Sequence, residues 1–157
     1  MDAPTPEELQ TWHRRMAVIT NNRTWALAEQ ASRTDAEDGE MLHGAHASLY
    51  HWSQVGTTQN VARARMLLGH VQALLGQGEL ALENARAAFE FVMQEGAEPW
   101  EQAFAHAILA NAAAAAGLQE LHQQHYGQAE VIGTGLEIPE EREIFMATFT
   151  VIPAPRG

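Results

Sequence analysis

The chain has no cysteine, which removes disulfides, thiol nucleophiles and thiolate metal sites from consideration. It is also poor in basic residues, with nine against 20 acidic ones and a formal charge of -11. A protein this acidic is repelled by phosphate backbones and anionic lipid, so no nucleic acid or membrane partner is expected. The arginines are scattered apart from Arg14-Arg15 and the pair Arg63 and Arg65. No window approaches the ~18 consecutive apolar residues of a membrane span. The first residues, Met1-Asp-Ala-Pro-Thr-Pro-Glu-Glu8, lack the basic and apolar regions of a signal peptide. These missing signals point to a cytoplasmic protein.

Sustained period-two alternation is absent as well. The strand-like run Phe149-Thr-Val-Ile152 is too short and isolated to build a sheet. Catalytic signatures are equally scarce. There is no H-E-x-x-H motif, and Ser48 falls mid-helix rather than in a nucleophile elbow. Gly76-Gln-Gly78 joins two helical stretches rather than a strand to a helix, so it is a turn and not a phosphate loop.

What the chain does have is helix-forming material. Hydrophobic residues make up 46 % of 157 positions, enough for one domain with a real core, residues 1–157, ending in a frayed tail over 153–157. Thr5-Pro6-Glu7-Glu8 reads as a capping box with proline in the first turn, opening a helix to about Ser32 with Leu9, Trp12, Met16 and Ile19 on its apolar face. Thr34-Asp-Ala-Glu37 is a second capping box and opens a helix to about Gln54, which Gly56 ends. Further helices are expected over about 59–75, 79–94, 98–116, 119–132 and 139–148, separated by Gly76-Gln-Gly78, Gly96, Gly117 and Gly133-Thr-Gly135. The expected fold is all-α, with about seven helices in stacked antiparallel hairpins.

Short glycine turns between helices of similar length suggest a repeat. Leu68-Gly69, Gly76, Ala81 and Ala88 are echoed by Leu109-Ala110, Gly117, Tyr126 and Ala129. This spacing resembles a tetratricopeptide repeat over roughly residues 59–132, with an offset of 41 residues between Gly76 and Gly117 and His122 where that family has a small residue. Ala45-His-Ala-Ser-Leu-Tyr-His-Trp52 with Gln54-Val-Gly-Thr57, Asn60 and Ala62-Arg63 also looks like a block in uncharacterised bacterial tetratricopeptide-like proteins. The resemblance implies a right-handed superhelix acting as a scaffold for a protein or peptide partner. With few hairpins and no obviously polar capping helix, a second copy could cover an open face, giving a homodimer.

Side chains with chemical scope crowd into Met41–Trp52. On a helical wheel Met41, Leu42, Ala45, Leu49 and Trp52 form an apolar arc, with His46 at its edge and His43 and Tyr50 just beyond. His51 lies roughly 140° from His46 and stands apart. His43 and His46, three apart, could share a divalent transition metal if His70 on the next helix supplied a third ligand. The competing reading is a set of half-buried side chains hydrogen-bonded at a helix interface, with no cofactor.

Other binding candidates are His46, Tyr50 and Trp52 on this helix, Arg63 and Arg65 as anion ligands, and Asn111. That amide lies mid-stripe and needs either a peptide in the concave groove or a neighbouring helix as partner. Trp12, Trp25, Trp52 and Trp100 read as core residues, and His122-Gln-Gln-His125 as a solvated face.

Overall fold

The computed structural model describes residues 2–94 and 96–157. Among the described residues are seven helices and no strand: α1 (Pro6–Ala28), α2 (Asp35–Val55), α3 (Thr58–Leu74), α4 (Gly78–Gln94), α5 (Pro99–Ala115), α6 (Gln119–Thr134) and α7 (Pro139–Phe149). The most extensive pairings are α1 with α2, α3 with α4, and α5 with α6. The second helix of each hairpin packs on the next element along the chain. The helices α1, α3, α5 and α7 also touch one another in sequence and form an inner layer. The fold is a stack of three helical hairpins closed by α7.

Local chemistry explains the boundaries. Thr5 Oγ1 accepts the Glu8 N–H at 3.2 Å and the Glu8 carboxylate accepts the Thr5 N–H at 2.8 Å. Thr34 and Glu37 repeat this at the start of α2. At α3 the cap is Thr57, with Asn60 Oδ1 taking the Thr57 N–H at 3.0 Å in place of a glutamate. α1 stops at Ala28, short of Ser32, because the Arg33 guanidinium reaches back to the Leu27 and Gln30 carbonyls. Gly76 and Gly117 take φ of +77° and +75°, which a Cβ would strain. After each, the following N–H bonds a carbonyl five residues earlier: Gln77 to Gln72 at 2.8 Å and Leu118 to Ala113 at 2.9 Å. The same turn thus occurs twice, 41 positions apart.

Small residues set the crossings. A Cβ at Gly44 would collide with Thr24 Oγ1, and one at Gly69 would press on the backbone of Ala81 and Ala85. The α1–α2 and α3–α4 hairpins therefore close at nearly backbone contact. In α5, Ala103, Ala105, Ala107, Ala110, Ala112 and Ala113 are all buried, so helices pack against it on several sides.

Two expectations change. The α1 stripe does not enter the core: Leu9, Trp12, Met16 and Ile19 are 40 %, 52 %, 42 % and 57 % exposed. α1 instead buries Ala17, Thr24, Leu27 and Ala28, the side on which Gly44 leaves room for Thr24. The His122–His125 face is also not solvated. Both histidines are buried, and His122 Nε2 donates to the Pro153 carbonyl at 2.7 Å, giving the start of the tail an anchor on α6.

Candidate groove on the inner layer

All four inner helices line one cavity of about 450 Å³. α1 contributes Asn21, Trp25 and the C-cap residue Glu29; α3 contributes Arg63 and Met66; α5 contributes Trp100 and Phe104; α7 contributes Glu141, Ile144 and Thr148. That volume lies within the ~300–1,000 Å³ range of ligand sites, and an apolar lining with a few polar groups is their usual character. The position follows from the stack, because hairpins that cross through their small residues splay their larger inner-face side chains toward a common axis.

The aromatic groups hold each other edge to face. Trp25 and Phe104 have ring centroids 6.0 Å apart, and Trp100 and Phe104 6.2 Å. Trp25 rests on the imidazole of His70, at 5.7 Å and 29° between planes. His70 is fully buried, and its Nδ1 accepts the Asn111 side-chain N–H at 3.0 Å. Its Nε2 has no partner. Burial, and secondarily the charge of Arg33, push its pKa down to about 3, so the ring is neutral.

Charge in the groove is uneven. Glu101 is buried, and its carboxylate accepts the Arg63 Nε–H at 2.9 Å. The same guanidinium lies 5.3 Å from the centroid of the Trp100 ring. Glu29 and Glu141 have no ion-pair partner among the described residues. Partial burial raises the Glu29 pKa above the ordinary carboxylate value. Thr148 is 1 % exposed, and its hydroxyl lacks a hydrogen-bond partner.

The predicted site residues scatter. Arg63 reaches the groove, but Glu101 holds it, so it is not a free anion ligand. Arg65 faces outward and is exposed. Asn111 finds its partner in His70, not at the groove surface. His46 and Tyr50 lie exposed on α2, and Trp52 covers Gly56 at its end. The three proposed metal ligands do not converge. His43 and His46 are exposed while His70 is enclosed between Trp25 and Asn111. Among the described residues no three His, Cys, Asp or Glu side chains are grouped to hold a metal ion.

His51, which the wheel set aside, pairs with His13 across the first hairpin, Nδ1 to Nδ1 at 2.8 Å. His106 and His125 repeat this across the third hairpin at 2.9 Å. Each contact needs one protonated and one bare Nδ1, so neither pair can carry two charges. Burial first, then His125, lowers the His106 pKa to about 4. These pairs join the helices of a hairpin.

Sequence reasoning placed Trp25 and Trp100 in the core and passed over Glu29, Glu141 and Ile144. The available signal was local: each tryptophan has a glutamate at a helical or adjacent position, Trp25 with Glu29 and Trp100 with Glu101. No helix of the described residues is long and apolar enough to cross a membrane. Comparison with protein-family models, curated proteins and solved structures finds no match for this chain.

Proposed function

We propose that the chain is a tetratricopeptide-like interaction module whose inner groove holds a segment of a partner protein. One observation carries this reading: Trp25, Met66, Trp100, Phe104 and Ile144 come from four different helices and line a single cavity. Ile144 is 60 % exposed there, an apolar side chain placed to be covered by a partner. The histidine-rich α2 plays no part in it.

Selection from a random dodecapeptide phage library on the purified chain tests the proposal. Peptides that bind the wild type and the Val131→Arg control but lose binding to Ile144→Arg support it. Both positions are exposed, so folding is preserved. Peptides indifferent to Ile144→Arg, or no binders at all, would count against the groove.

A second reading concerns the first hairpin. The exposed residues Leu9, Trp12, Met16 and Ile19 are spaced three, four and three apart, the pattern of a helix-pairing seam. This supports self-association through α1. Light scattering should then show a dimer that Ile19→Glu converts to monomer; a wild-type monomer at high concentration removes this reading.

A further inference from the structure

The groove contains one filled cation site that indicates how to read an empty counterpart. On one wall, the Arg63 guanidinium lies over the Trp100 ring at 5.3 Å and bonds Glu101 at 2.9 Å. An aromatic face and a carboxylate together satisfy that cation. A second tryptophan and glutamate line the groove from α1. Trp25 and Glu29 are four residues apart and therefore neighbours on one helix face. Among the described residues no cation pairs with Glu29 or lies over Trp25, and Glu141 of α7, also lining the cavity, is likewise without an ion-pair partner. Thr148, whose buried hydroxyl has no hydrogen-bond partner, is among the residues lining the same cavity.

Resting on the groove reading above, we propose that Trp25 and Glu29, with Glu141, take a guanidinium or ammonium group of the bound segment. The ligand class is therefore a peptide that places an arginine or lysine beside a large apolar residue. The apolar side chain fills the space between Met66, Phe104 and Ile144, and the cation extends to the carboxylates. The chain's net charge of -11 favours approach of such a segment from solution. Partial desolvation raises the Glu29 pKa, an effect that a bound cation would offset. Arg63, already neutralised by Glu101, adds no competing attraction for acidic ligands.

The test is the same dodecapeptide library, selected in parallel on the wild type and on Glu29→Gln/Glu141→Gln. Neither substitution removes an apolar contact. Wild-type binders should be enriched in arginine or lysine next to an aromatic or aliphatic residue. Replacing that basic residue by alanine in a selected peptide should weaken binding about tenfold. The double variant should lose the basic enrichment and still select peptides that Ile144→Arg abolishes. Groove-dependent peptides with no basic enrichment would overturn the cation site and leave the interaction module standing. Absence of any Ile144-dependent peptide would overturn both.

Discussion

Lowering the pH should destabilise this fold through His70, and the size of the effect follows from its surroundings. The imidazole is fully buried, with one nitrogen on Asn111 and the other unpartnered, and its pKa is about 3 against an ordinary 6.5. The unfolded chain takes up a proton as pH falls through 6.5, and the folded chain does not until about 3. A folded-state pKa depressed in a base means stability is full above 6.5 and is lost between 6.5 and 3. At pH 5 the loss from this residue is about 2 kcal/mol, a sizeable part of the ~5–15 kcal/mol that holds a domain.

Urea denaturation of the wild type and His70→Gln at pH 7.5 and pH 5 isolates the term. Glutamine keeps an acceptor for Asn111 and has no proton to gain. Its cost at pH 7.5 should be about 1–3 kcal/mol. The gap between wild type and variant should then narrow by about 2 kcal/mol at pH 5. His51, His106 and His125, whose pKa values burial also lowers, act alike in both proteins and cancel. Parallel pH dependence in the two proteins would refute the assignment of a neutral, enclosed His70.

Three other outcomes follow from the geometry. Gly76→Ala and Gly117→Ala force a Cβ into φ near +75° and should each cost about 1 kcal/mol, lowering Tm by about 2–4 °C; unchanged melting would disprove the left-handed turns. Gly133→Ala sets a methyl against the Phe145 ring, so amide exchange across α7 should accelerate while α3 and α4 stay protected. Thr148→Val removes an unpartnered hydroxyl at nearly constant shape; stability should hold or rise by up to about 1 kcal/mol, and a fall in stability would show that the hydroxyl is satisfied.

The helical architecture was legible because its determinants are local. Thr5 with Glu8 and Thr34 with Glu37 announce their helix starts, and Gly76 and Gly117 their turns, within a few residues. The groove was not, since which face of a helix turns inward depends on crossings set elsewhere. α1 shows the difficulty. Its periodic stripe of Leu9, Trp12, Met16 and Ile19 stays exposed, while Ala17, Thr24, Leu27 and Ala28 are buried on the side where Gly44 of another helix makes room for Thr24. The His13–His51 and His106–His125 contacts, 38 and 19 residues apart, are hidden for the same reason. Buried polar residues stood out by type, as Asn111 did, but its partner lies 41 residues away at His70.

The four tryptophans allow the central claim to be measured directly. Trp25 and Trp100 line the groove, whereas Trp12 is exposed on the outer side of α1 and Trp52 covers Gly56. With ¹⁵N-labelled protein and a library-selected peptide, the indole N–H signals of Trp25 and Trp100 should shift together on titration and those of Trp12 and Trp52 should stay in place. Movement of Trp12 or Trp52 with the groove pair unmoved would contradict the account.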